Sequence, residues 1–317
     1  MSAIIVPLDG SPLSERALPL ACTLAREMDL TLVLLHVHEP EPSFNNGRDA
    51  QAALHAAYWH VRRQYGLDPE TQSRCGYVGP TIADEVRERD AWAVVMASHS
   101  RAGLLRSVLG SVAEEVIDLS PVPVFLIPAS VDAPGLPRFR RILVPLNGSS
   151  RAEAVLAPLR RLTEAFGAEV LLFHVFEPVP EPERATYKML SAVGQVVDGL
   201  TPGEIDSTKA HEPRRPVMVQ RITLGEPARE IVEVCGREQV DLVAFATHGR
   251  TPLDREHMST VGEAVLRRSH VPLMVLGREA LRRLGHEPAH PAADERAAPR
   301  KVLAHVAGEP EIVAMSH

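Results

Sequence analysis

The residue types that can do chemistry cluster in two stretches of the first 120 positions. One is "VPLDGS", residues 6–11, where Asp9 ends an apolar run. The other is "ASHSRAGLLRSVLGSVAEEV", residues 97–116, a loop with Arg101 and Arg106 that runs into a helical pattern. Such a loop can cradle phosphate: backbone amides at a helix start point at an anion, and glycine lets the chain approach it closely. Glycine stands at only two places here, Gly103 and Gly110, so the stretch is either a cradle or the outline of one. Both stretches must be positioned by strands, and these are legible as short apolar runs.

The chain has 317 residues, enough at roughly 100–200 residues per domain for two domains. It repeats itself. "IIVPLDGSPLSERALPLA" at Ile4 returns 138 residues later as "ILVPLNGSSRAEAVLAPL" at Ile142, and "LLHVHEP" at Leu34 returns as "LFHVFEP" at Leu172. Beyond a longer middle insertion the offset becomes 149, with "VVMASHSRAGL" at Val94 against "VAFATHGRTPL" at Val243 and "SPVPVFLIP" at Ser120 against "SHVPLMVLG" at Ser269. A period this long means duplicated domains and not a solenoid. Within each copy, apolar runs such as "AIIVPL", "TLVLLHV", "WAVVMAS" and "PVFLIP" alternate with helical patterns, which predicts parallel strands buried on both faces. Ser11 is expected to cap the first helix, with Pro12 at its first position and Leu13, Ala17, Leu20, Ala21 and Leu24 on its buried stripe. Doubly wound sheets bind ligands beyond the carboxyl ends of their strands, where Asp9 and the 97–116 stretch both fall.

With these residues in place, the chain resembles the universal stress protein family, as two copies of the domain fused over about residues 1 to 280. The resemblance rests on "VPLDGS", "LLHV", the loop ending "GSVAEEV" and the strand "SPVPVFLIP". It implies an α/β fold of two tandem doubly wound, Rossmann-like domains of the adenine nucleotide alpha hydrolase type. Each has a parallel five-stranded sheet, and the two pair as an intramolecular pseudo-dimer through their last strands. The expected boundaries are 1–131 and 139–280, with a linker at 132–138 and a partly disordered tail at 281–317.

Members of the family divide into those that bind ATP and those that do not. Binders carry a glycine, two residues, a second glycine, nine residues, then glycine and serine or threonine. In the first copy these positions hold Ala97, Ser100, Gly110 and Ser111, and in the second Ala246, Gly249, Ser259 and Thr260, so both depart from the pattern. The resemblance places Pro7, Asp9, Val37, Met96 and Val112 around the nucleotide in the first copy. The second copy offers Pro145, Asn147, Val175, Phe245 and Val261. An amide in place of the carboxylate exchanges a bond of roughly 1.5–3 kcal/mol for one nearer 1, which ranks the first copy above the second. The expected ligand is ATP, with Mg²⁺ where it binds. Asp9 alternatively organises only the strand-to-helix turn, and Gly110 and Ser111 only begin a helix, Ser111 as its cap.

The sequence contains no GxxxxGK[ST], GxGxxG, GxSxG or HExxH, and the expectation is a regulatory binding module without dedicated catalysis. The alternative is a nucleotide-free scaffold. A protein partner and further dimerisation are expected. With a formal net charge of −7 and no apolar run of spanning length, nucleic acid and membrane are not, and a cytoplasmic location is. His36 and His174 read as satisfied core residues, and His99 and His248 as loop residues without metal-ligand partners. Cys22, Cys75 and Cys235 read as small buried or neutral residues.

Overall fold

The structure, a computed structural model, describes residues 2–39, 46–98, 109–128, 130–131, 138–176, 218–247 and 260–286. The first half runs β1 (Ala3–Pro7), a 3₁₀ turn (Ser14–Ala17), α1 (Leu18–Glu27), β2 (Thr31–His38), α2 (Asn46–Tyr65), β3 (Glu70–Cys75), α3 (Val78–Glu88), β4 (Ala93–Ala97), α4 (Ser111–Leu119) and β5 (Val124–Ile127). The second half repeats the order: β6 (Arg141–Leu146), α5 (Ser150–Glu153), α6 (Leu156–Phe166), β7 (Glu169–Phe176), β8 (Met218–Leu224), α7 (Pro227–Arg237), β9 (Leu242–Ala246), α8 (Thr260–Arg268), β10 (Leu273–Leu276) and α9 (Arg278–Arg283).

All ten strands form one sheet, ordered β3-β2-β1-β4-β5-β10-β9-β6-β7-β8. Pairing within each half is parallel, as Ile5 opposite Val33 and Leu143 opposite Leu171 illustrate. Among the described residues the single antiparallel junction is β5 with β10, where Phe125 faces Met274. Side chains alternate between the two faces of each strand. Ile4, Val6 and Phe125 therefore enter one apolar layer with Val144 and Met274, while Ile5, Val33 and Leu126 enter the other with Leu143 and Leu273. Both layers run unbroken across the junction, so the two halves share their cores.

Several expectations change in detail. Ser11 does not cap a long helix; its Oγ accepts from the Ser14 amide at 3.2 Å and seeds the 3₁₀ turn, and α1 begins only at Leu18 with Pro19 in its first turn. Helix α2 begins at Asn46. Residues expected to begin the tail at 281 instead lie inside α9, because Ala280 and Leu281 are both buried against the sheet's core. The remainder of that tail and the longer middle insertion of the second copy, at residues 178–216, lie outside the described residues. Cys22 and Cys235 are buried, which pushes each thiol up to about 12, but Cys75 is exposed on the edge strand. Among the described residues no helix is long and apolar enough to cross a membrane.

Candidate functional site

The turn after β1 is set by two residues. Gly10 takes φ +76°, a left-handed conformation that costs residues with a Cβ about 1–2 kcal/mol. Asp9 Oδ1 accepts from the Ser11 amide at 2.8 Å and from the Ser11 hydroxyl, closing an Asx turn. The second half builds the same turn with Gly148 at φ +77° and Asn147 Oδ1 accepting from the Ser149 amide at 3.2 Å and its hydroxyl at 2.7 Å. Carboxylate and amide are thus equivalent for the local turn. They differ only toward a ligand, where Asp9 carries a full negative charge and Asn147 none.

Above this turn the first half opens into a cleft of about 220 Å³. Pro7 and Asp9 come from the end of β1, Leu35 and Val37 from β2, Met96 and Ala97 from the end of β4, and Gly110 and Val112 from the start of α4. The structure therefore gathers seven of the nine predicted first-copy residues around one space. Ser111 is exposed on the first turn of α4 and off the cleft wall, and Ser100 lies outside the described residues with His99, Arg101 and Arg106. Ser14, Leu35, Val78, Ile82, Ser98 and Ala113 also line the cleft and were not anticipated. Leu35 was legible as the same-face neighbour of Val37, two residues along β2. Val78 and Ile82 show only the i, i+4 spacing of α3.

The start of α4 is the electrostatic feature of the cleft. Gly110, and not Ser111, is the N-cap. Its backbone is extended, with φ −70° and ψ 148°, so no positive φ demands glycine here. A glycine cap supplies no side-chain oxygen, and the cap carries no side-chain hydrogen bond. The Gly110 amide donates to Ser98 O at 2.8 Å, and the first intrahelical bond runs from the Glu114 amide to Gly110 O at 3.0 Å. The amides of Ser111, Val112 and Ala113 are left facing outward at the positive end of the helix dipole. Beside the cleft, burial lowers the His36 pKa below its usual value; a backbone hydrogen bond at Leu8 and the charge of Asp9 oppose that shift, and His38 adds to it. His36 is half-buried with Nδ1 lacking a partner among the described residues, so it is not the fully satisfied core residue expected from its strand. No group of three potential metal-ligating side chains occurs among the described residues.

The second half has a counterpart cleft of about 290 Å³ that collects Pro145, Asn147, Val175, Phe245, Ala246 and Val261. Thr260 opens α8, while Gly249, Ser259 and His248 lie outside the described residues. Phe173 and Phe245 stand where the first half has Leu35 and Met96, and Ala152 where it has Ser14. The wall is more aromatic. His174 is half-buried like His36, and burial lowers its pKa too.

The universal stress protein family model matches this chain twice, at residues 1–128 and 138–277. A universal stress protein of Mycobacterium tuberculosis is 25% identical over 288 residues, covering 86% of this chain and 96% of that protein. One from Synechocystis is 33% identical over 132 residues, 39% of this chain and 84% of its own length. A crystal structure of a universal stress protein from Archaeoglobus fulgidus superposes with a TM-score of 0.63 at 18% identity, covering 87% of this chain and 96% of that one. The twofold match spans most of the chain, and the protein belongs to the universal stress protein family.

Proposed function

We propose that the first half binds an adenine nucleotide, ATP with its Mg²⁺, and that occupancy serves a regulatory and not a catalytic role. The observation that carries this reading is one arrangement: Asp9 and the uncapped first turn of α4 open onto the same cleft. The carboxylate suits hydroxyl donors of a nucleoside, and the helix start suits a phosphate. Both requirements fall on one side of the chain, because the second half offers Asn147 in place of Asp9. The second-half cleft accordingly ranks below the first for nucleotide. Among the described residues lining the first cleft, Asp9 is the one carboxylate, which favours binding over phosphoryl chemistry, since hydrolysis needs a positioned base or a metal-holding pair.

Ala97 favours a second reading. Ala97, buried at 9% exposure, lines the cleft where family binders have glycine. On that reading the nucleotide site is vestigial, and the continuous ten-stranded sheet is a scaffold for a protein partner. Calorimetry with millimolar ATP separates the two. Heat from one site per chain is expected, and silence at that concentration overturns the nucleotide reading.

A further inference from the structure

α4 is held at both ends, and the far end is held by the other half of the molecule. Its amino terminus faces the first cleft. At its carboxyl end, Arg87 Nη2 donates to Leu119 O at 3.0 Å, and the backbone of Gly277, between β10 and α9, lies directly against Ile117. A Cβ on Gly277 would stand 1.8 Å from Ile117 O and 2.6 Å from its carbonyl carbon. The backbone of Gly277 is extended, at φ −84°, so glycine is required there by proximity and not by conformation. The corresponding position of the first half is Pro128, so a glycine at this place is particular to one side of the pseudo-dimer. Behind Gly277, α9 is anchored by Ala280 and Leu281, each 1% exposed, and by Arg283 Nη2 on Asp90 Oδ1 at 3.1 Å.

Resting on the nucleotide reading above, we propose that Gly277 is a positioning residue for the first cleft: through Ile117 the second half sets where the first-turn amides of α4 stand. A nine-residue helix is about 13 Å long and moves as one piece, so a push at Ile117 reaches Ser111, Val112 and Ala113. Real Cβ contacts do not fall below 3.0 Å, so Gly277→Ala requires the two backbones to separate by about 1.2 Å, the difference between 3.0 and 1.8 Å. Misplacement on this scale can weaken a fitted site by orders of magnitude. The loss falls on the phosphate end alone, because Asp9 stands in the turn after β1 and is not moved.

The test compares ATP with adenosine by calorimetry on the full chain. Gly277→Ala is expected to weaken ATP at least about fivefold while leaving adenosine unchanged, the lower end of ordinary coupling between sites. Leu281→Ala, which loosens α9 without adding bulk, is expected to act in the same direction and serves where Gly277→Ala does not fold, folding being checked by melting without ligand. A folded variant of either kind whose ATP-to-adenosine ratio matches the wild type overturns the inference. A wild-type chain that binds neither ligand overturns the proposed function first, and this inference with it.

Discussion

The two halves share a fold and differ in what they do with the same positions. Asp9 and Asn147 close identical turns, yet only Asp9 brings charge to a cleft. On the neighbouring helix the difference is structural: Glu85 of α3 is 1% exposed and paired with Arg74 Nε at 2.6 Å and with Arg89, while the matching position of α7 is Val234, also 1% exposed. The helix starts differ as well. Glu226 caps α7 by accepting from the Ala228 and Arg229 amides at 3.1 and 2.9 Å, whereas α3 starts at Tyr77 without a side-chain cap. Gly79 there admits the Glu115 side chain of α4, which a Cβ would meet at 2.3 Å; the second half has Ala228 and Ala264 at those positions. Duplication kept the backbone geometry and let the side-chain solutions diverge. The first half ties α3 to β3 with the Glu85–Arg74 pair, and the second puts the apolar Val234 at the same place.

The sharpest way to break this comparison is at Asp9. Asp9→Ala removes both the charge and the turn acceptor, and ATP binding is expected to weaken by a hundredfold or more, beyond detection at micromolar nucleotide. Asp9→Asn makes the first half resemble the second. It keeps the turn, as Asn147 demonstrates, and is expected to cost roughly tenfold through the lost charge. Equal affinities for wild type and both variants, measured by calorimetry, would remove Asp9 from the site.

Glu85 gives a smaller effect of a different kind. Glu85→Ala leaves two arginines without their buried acceptor. Because Arg74 is 40% and Arg89 25% exposed, both rehydrate, and the expected loss is about 2 kcal/mol of unfolding free energy. Arg74→Ala is expected to cost well under half of that, since Arg89 still pairs with Glu85. Urea unfolding of the two variants decides. A loss for Glu85→Ala no larger than for Arg74→Ala would mean that the carboxylate is as replaceable as Val234 suggests.

How much of this was legible follows from where each residue's constraint originates. β1, β2, β4 and β5 announce themselves because burial on both faces makes them continuously apolar. β3, "ETQSRC", has no such run: it is the sheet's edge, and its side chains are exposed or half-exposed along its whole length. Asp9, Gly110 and Met96 could be placed because each adjoins a strand or helix end in sequence. Val78, Ile82 and the meeting of Gly79 with Glu115 could not, because those depend on how α3 lies against α4. The exchange of Pro128 for Gly277 was visible in the repeat, but its contact with Ile117 exists only once β5 and β10 pair.

The smallest expected effect comes from the two histidines that the halves share. An unfolded imidazole titrates near 6.5, and burial lowers both His36 and His174 below it. Between the lowered values and 6.5 the unfolded chain binds more protons than the folded one, so stability that is complete above 6.5 is lost as pH falls through that window. Replacing either residue by glutamine is expected to flatten the pH dependence of the melting temperature there. The comparison sharpens at Asp9: its charge raises the His36 value against the lowering by burial, and His174 has only Asn147 at the corresponding position. In Asp9→Asn the His36 resonance followed by NMR is therefore expected to titrate lower than in the wild type, while His174 stays fixed. A His36 titration that does not move would mean that water at the cleft mouth screens the carboxylate from the ring, and the same screening would weaken the hold of Asp9 on a ligand.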